Sequence, residues 1–228
     1  MDYAIEGGST FPLVRVTLNA GDAIKAERGA MVALSQGAEL KGKMDGGLKR
    51  SIGRMFTGES FFLQSIEANT DNSWALLSTT QLGAISALDV GGQEWCLQKN
   101  GFVAATADVD VSTKMQSLGR SLFSGEGMFI MRVKGNGTLF LSTYGSMQTV
   151  SIPAGESVLI DNGHLVAWPA HLKYEIAKGA SSWISSATSG EGLACRFYGP
   201  GDVIIQTRNP QDFGAWLQQF LPPPPKAR

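Results

Sequence analysis

The chain has 228 residues, of which 43% are hydrophobic, and a formal net charge of −1. A chain of this length and composition can bury the core of a single domain, and its balanced charge supplies no global attraction to nucleic acid or anionic lipid. It shows neither a signal peptide nor an apolar run of about 18 residues, which favours a cytoplasmic, reduced protein.

The strand patterns begin near the N-terminus. Apolar and polar residues alternate in 13–18 and 109–111, which predicts half-buried strands, whereas 128–131 is apolar on both faces and predicts a strand buried on both sides. Cys96 and Cys195 lie within apolar, strand-like runs, so we expect them to be buried as small hydrophobic residues.

Short glycine-containing turns separate these strands. Asn100-Gly101 and Asn162-Gly163 stand between apolar runs and predict hairpin turns in which both central residues take a positive φ. Arg28-Gly29 stands at the corresponding place in the first part of the chain and predicts a turn of another type.

One turn motif occurs three times along the chain. Thr57-Gly58-Glu59-Ser60, Ser124-Gly125-Glu126-Gly127 and Ser189-Gly190-Glu191-Gly192 begin 67 and 65 residues apart. An apolar run closed by a hydroxyl residue, and a glycine pair around a short strand, keep the same spacing. A fixed period of this size predicts a triplicated fold.

The period divides the chain into three predicted repeats, at about 11–80, 81–147 and 148–208. None of them could bury its sheet alone. We therefore expect one all-β domain over residues 1–221, shaped as a sandwich or a closed barrel-like form with pseudo-threefold symmetry.

A different period follows the last strand. Asn209 and Pro210 predict a helix start, as N-cap and first helical residue, for a helix over 210–221. Its apolar stripe consists of Phe213, Trp216, Leu217, Phe220 and Leu221. We expect the stripe to close the end of the β core, the alternative being a helix that docks a partner. Residues 222–228 form a proline-rich tail.

The segment 41–54 is the main basic stretch. Its candidate ligand-binding residues are Lys41, Lys43, Lys49, Arg50 and Arg54. Glycines and isolated apolar residues separate these charges, so we expect a solvent-exposed excursion between strands that could contact an anionic membrane surface. The alternative is a solvated loop without a ligand.

The repeated glutamates Glu59, Glu126 and Glu191 are the other candidate binding residues. We expect them to be equivalent about the pseudo-threefold axis, either accepting backbone N–H bonds that hold their turns or converging on a hard cation. His164 and His171 have no Cys or carboxylate at ligand spacing. The sequence predicts no catalytic residue, metal site or cofactor.

Several segments together resemble a known family. They are 46–50, 58–62, 123–129, 135–142 and 199–208. Over Tyr3 to about Phe220 the chain resembles the family of altered inheritance of mitochondria protein 24. The resemblance implies a β-rich fold with internal repeats, like that of the tryptophan RNA-binding attenuation protein. Mitochondrial members are linked to inner-membrane organisation, and the family supplies no established catalytic residue.

These observations favour a non-enzymatic scaffold or assembly module that forms homo-oligomers. One alternative is a binding module for a small ligand, anionic lipid or RNA, although the balanced charge disfavours nucleic acid. Another is an unrecognised enzyme that uses the repeated glutamates.

Overall fold

The computed structural model describes residues 1–8, 10–41, 63–115, 129–176 and 194–222. Within these ranges the regular structure consists of nineteen β-strands, two short 3₁₀ turns and one α-helix near the C-terminus. The prediction of an all-β fold with a short C-terminal helix is therefore confirmed.

The strands are short, with three to seven residues each. The first seven are β1 (Asp2–Glu6), β2 (Leu13–Leu18), β3 (Ala23–Glu27), β4 (Met31–Leu34), β5 (Ala38–Lys41), β6 (Leu63–Ala68) and β7 (Ser73–Leu77). The next six are β8 (Ile85–Asp89), β9 (Trp95–Gln98), β10 (Phe102–Thr106), β11 (Val109–Met115), β12 (Phe129–Gly135) and β13 (Thr138–Ser142). The last six are β14 (Met147–Ile152), β15 (Ser157–Asp161), β16 (Leu165–Pro169), β17 (Tyr174–Ile176), β18 (Ala194–Tyr198) and β19 (Gly201–Gln206).

Three groups of six strands pair in the same way. We call β2–β7 the first unit, β8–β13 the second unit and β14–β19 the third unit. In each unit the first and third strands pair with the sixth, and the second and fourth strands pair with the fifth. All of these pairs are antiparallel. Strand pairing gives the connectivity of the three units but not their orientation relative to one another. The pseudo-threefold axis and the likeness to the tryptophan RNA-binding attenuation protein therefore remain predictions.

Successive units share their sheets. β3 of the first unit pairs with β10 of the second, and β9 of the second pairs with β16 of the third. These two junctions create two six-stranded sheets, β5-β6-β3-β10-β13-β8 and β11-β12-β9-β16-β19-β14. The remaining strands form a four-stranded sheet, β1-β2-β7-β4, and a three-stranded sheet, β15-β18-β17.

Three hydrophobic cores lie between these sheets. The first core includes Val16 and Leu77, the second includes Leu97 and Leu139, and the third includes Trp168 and Phe197. Because strand side chains alternate between faces, neighbouring residues on a shared sheet enter different cores.

The strand β12 and the two cysteines behave as the sequence predicts. Ile130 packs in the third core and the adjacent Met131 packs in the second, so this part of β12 is buried on both faces. Cys96 and Cys195 are fully buried in the third core. The predictions of a doubly buried strand and of buried cysteines are confirmed.

The predicted hairpin turns differ from those observed. Lys99–Gly101 and Asn162–His164 are 3₁₀ turns without a positive φ. The strands that each turn joins, β9 to β10 and β15 to β16, lie in different sheets, so the predicted hairpins are wrong. Asp161 favours the 3₁₀ form because its carboxylate accepts a 2.6 Å hydrogen bond from the backbone N–H of Gly163. Gly163 is needed for close packing, since the side chain of Asn209 fills the place of a Cβ. Gly29 has a φ of 89°, which confirms that the first unit uses another turn type.

The helix α1 (Pro210–Gln218) begins as predicted and ends three residues earlier. Asn209 is its N-cap, and its side-chain oxygen accepts a 3.0 Å hydrogen bond from the N–H of Gln211. The prediction that the helix closes the core is wrong, because α1 has no buried residue and Trp216 is 53% exposed. Instead, α1 contacts the surface of the β domain, where the ring of Phe213 lies 5.7 Å from the ring of Tyr144.

Candidate functional site

Of the eight predicted binding residues, Lys41 is the one that lies within the described ranges. It ends β5, and its Nζ donates a 2.7 Å hydrogen bond to a carboxylate oxygen of Glu67 on β6. This bond and the charge of Glu67 raise the pKa of Lys41. The local carboxylate compensates the charge of Lys41, which weakens its attraction for an anionic surface.

The other predicted binding residues lie outside the described residues. They are Lys43, Lys49, Arg50, Arg54, Glu59, Glu126 and Glu191. Each belongs to a segment that joins the fourth and fifth strands of a unit, which are paired in all three units. The predictions of an anionic contact and of a shared glutamate role remain predictions.

The junctions between units define a surface that the sequence did not indicate. The second strand of one unit pairs with the third strand of the next at the two junctions β3–β10 and β9–β16. One strand of each kind is left, β15 in the third unit and β4 in the first. In the described part of the chain, each pairs on one side only and ends its sheet. We call β4 and β15 the open edges.

The burial of three equivalent valines distinguishes β4 from β10 and β16, which are paired at the junctions. Val32, Val103 and Val166 each lie at a β-bulge in the third strand of their unit. Val103 and Val166 are 0% and 2% exposed, whereas Val32 is 52% exposed. The missing neighbour at β4 therefore leaves apolar surface in solvent.

The cores show what those valines bury. Val103 of the second unit packs in the first core, and Val166 of the third unit packs in the second core. Among the described residues, the third core contains side chains from Cys96 to Ile205 and none from the first unit. The third core therefore lacks the contribution that the other two cores receive from a following unit.

A cleft of about 410 Å³ lies where α1 meets the β domain. It is lined by Tyr144, His164, Thr207, Arg208, Asn209, Asp212, Phe213 and Trp216. The rings of Phe213 and Trp216 stack 5.9 Å apart. The cleft thus combines aromatic faces with a guanidinium, an imidazole and a carboxylate.

His164 is held in one orientation in this cleft. Its Nδ1 lies 2.8 Å from the carbonyl oxygen of Gln206, and since a carbonyl only accepts, Nδ1 carries the proton. The Gln206 side chain is itself fixed, donating to the carbonyl oxygen of Gly163 and accepting from the N–H of Tyr144. In the described ranges, no three His, Cys, Asp or Glu side chains gather as metal ligands.

Sequence reasoning considered His164 only as a metal ligand and missed the cleft. The available signal was the apolar run that ends in a hydroxyl residue. Tyr144 follows Thr143 and Arg208 follows Thr207, directly after the last strands of the second and third units. The part played by α1 could not be predicted, because its aromatic stripe has the pattern of a buried helix face.

Comparisons with known proteins agree with this fold. An uncharacterized protein of Streptococcus pyogenes serotype M6 is 32% identical over 230 residues, which cover 97% of this chain and 92% of the relative. The crystal structure of a structural-genomics target from Streptococcus pyogenes matches with a TM-score of 0.80 at 29% identity. That match covers 96% of this chain and 99% of the other.

No helix in the described ranges is both long and apolar enough to span a membrane. The model of a family described as mitochondrial biogenesis AIM24 matches residues 3–208. This match confirms the resemblance inferred from the glycine-rich motifs, and the chain belongs to the mitochondrial biogenesis AIM24 family.

Proposed function

We propose that this protein is a non-enzymatic assembly module that binds other copies of itself. The observation that carries the proposal is the pair of open edges, β4 and β15, which remain after every other junction strand has been paired. We place the assembly in the cytoplasm, as the sequence predicts.

The composition of β4 supports the proposal. Exposed sheet edges present unpaired backbone N–H and C=O groups. Short strands and bulges limit pairing at such edges, but the paired strands β10 and β16 carry the same bulge as β4. The other protections in monomeric proteins are charged residues and proline. β4 consists of Met31, Val32, Ala33 and Leu34, so it has neither. An apolar edge without charge or proline supports a surface that another strand covers.

Replacing Val32 with lysine is expected to reduce self-association. A charge at this position would be buried by a pairing strand, and burial of an unpaired charge opposes association. Light scattering after gel filtration should give a mass above 24.3 kDa for the parent chain and a mass near 24.3 kDa for Val32→Lys.

Leu82→Lys is the matched control, because Leu82 is 53% exposed and Val32 is 52% exposed. The control should keep the parent mass. A parent chain that stays at the monomer mass at every concentration would contradict the proposed assembly.

The cleft favours a second function, the binding of a small ligand. Its aromatic rings could stack on a planar base, Arg208 could bind a phosphate, and Asp212 could accept hydrogen bonds from sugar hydroxyls. A mononucleotide combines these three groups, so we propose it as the ligand class.

Adenosine monophosphate is the probe for this second function. Titration calorimetry should give saturable binding to the parent chain, and Trp216→Ala should weaken it by about tenfold or more, as expected for the loss of base stacking. Leu82→Ala, on an exposed residue outside the cleft lining, is the control. Equal binding to Trp216→Ala and the parent would exclude this cleft as the site.

A further inference from the structure

We propose that β4 of one copy pairs antiparallel with β15 of a second copy, with Ala33 opposite Ile160 and Leu34 opposite Leu159. This inference deepens the proposed assembly function and rests on it. It identifies the partner as a second copy of this chain and fixes both the strand and the register of contact.

The two existing junctions provide the template. At the first, Ala104 of β10 is opposite Ala26 of β3, and at the second, Ala167 of β16 is opposite Leu97 of β9. Both junctions are antiparallel and join the third strand of a later unit to the second strand of the unit before it. Of the two open edges, β4 is the third strand of its unit and β15 is the second strand of its unit.

The position on β4 follows from the bulges. Ala33, Ala104 and Ala167 are each the first paired residue after a bulge against the last strand of their unit. Ala33 is therefore the residue of β4 that corresponds to the two alanines of the existing junctions.

The position on β15 follows from the turns. Both 3₁₀ turns have three residues and stand directly between the second and third strands, so Gln98 corresponds to Asp161 and Leu97 to Ile160. Because Leu97 pairs with the junction alanine Ala167, Ile160 should pair with Ala33.

The third core supplies a reason for the contact. It takes no side chain from the first unit among the described residues, whereas the first and second cores receive Val103 and Val166. Pairing of β4 with β15 would bring Val32 to the equivalent place at the third core of the second copy. Removing the exposed apolar surface of Val32 from water would favour this contact.

The two strands that meet in the contact are different, and this determines the kind of assembly. Each copy offers two different edges, so a single β4–β15 contact is heterologous, and repeated contacts either close on themselves or continue as a linear series. Among the described residues the β4–β15 ladder is not formed, so both edges can pair with other copies.

Cross-linking between two variants that each gain one exposed cysteine tests the register. Leu34→Cys and Leu159→Cys are purified separately, given different affinity tags, mixed and treated with a short thiol-to-thiol cross-linker. Cα partners across a ladder hold their Cβ atoms about 4.5–5.5 Å apart, within reach of such a reagent. The native Cys96 and Cys195 are buried, and burial raises the pKa of each to about 11, so they should react slowly.

The mixture should yield a product carrying both tags, at least tenfold above the product of either variant alone. Leu82→Cys mixed with Leu159→Cys is the control and should give only background. The inference is overturned if the mixture gives no such product, or if a Leu34→Cys/Leu159→Cys double variant cross-links only within one chain. If the parent chain is oligomeric but the mixture gives no cross-linked product, the proposed β4–β15 register is wrong. The proposed assembly function is not contradicted by that result.

Discussion

Raising the pH from 9 to above 11 is expected to lower the free energy of unfolding by about 5 kcal/mol through the two buried thiols. Burial is the main cause that raises the pKa of Cys96 and of Cys195 from 9.0 to about 11. Below pH 9 both thiols are neutral in the folded and unfolded chain. Between pH 9 and 11 the unfolded chain loses the protons that the folded chain retains, so stability falls. Each pKa unit corresponds to about 1.4 kcal/mol.

Other groups also titrate in this range, so the control is the Cys96→Ala/Cys195→Ala variant. Urea unfolding at several pH values between 9 and above 11 measures the free energy of unfolding of both proteins. Over this range, that free energy should fall by about 5 kcal/mol more in the parent chain than in the variant. The variant will be less stable at every pH because the smaller side chains leave cavities. The comparison therefore uses the change in the free energy of unfolding with pH and not its absolute value. Parallel curves for the two proteins would show that the thiols do not carry the effect.

The parts of the fold that sequence predicted depend on local patterns. Residues 128–131 are apolar without alternation, and Ile130 and Met131 do enter two different cores. The N-cap at Asn209 followed from the chemistry of its side chain and the proline after it. Patterns of this kind are recognisable because the residues that determine them are neighbours in the chain.

The parts that sequence did not predict depend on distant residues. The glycine of Asn162-Gly163 indicated a positive φ, but the structure needs that glycine because Asn209 packs against it. Likewise, nothing in the Met31–Leu34 sequence distinguishes an open edge from the buried strands β10 and β16. The difference is that β4 has no second strand of another unit beside it in the described part of the chain, which only the strand order reveals.

One position on the second strand of each unit shows how the junctions are built. The turn lengths place Lys25, Cys96 and Leu159 at equivalent sites. Lys25 reaches the second unit and Cys96 packs in the third core, so both serve the unit that follows. Leu159 remains partly exposed on the open edge β15. An apolar residue at the third site is consistent with a strand that another copy covers.

Lys25→Met is expected to lower the free energy of unfolding by about 2 kcal/mol. The Nζ of Lys25 donates 2.8 Å hydrogen bonds to the carbonyl oxygens of Ala107 and Val109, which tie the first unit to the second. Methionine retains the stem but leaves both carbonyls without this donor, and bonds from a charged group contribute about 1.5–3 kcal/mol each. Part of the loss is offset, because burial of the ammonium is unfavourable and lowers the pKa of Lys25.

The matched control for this prediction is Lys41→Met, which removes a lysine that forms a partly exposed ion pair with Glu67. Exposed ion pairs contribute little to stability because water and salt screen them. In urea unfolding, Lys25→Met should shift the midpoint to lower urea with an unchanged slope, and Lys41→Met should stay close to the parent. Equal shifts in the two variants would mean that the buried ammonium adds nothing beyond the loss of a surface charge. A shift confined to Lys25→Met would identify the β3–β10 junction as a stabilising contact, and the open edges lack its counterpart in the single chain.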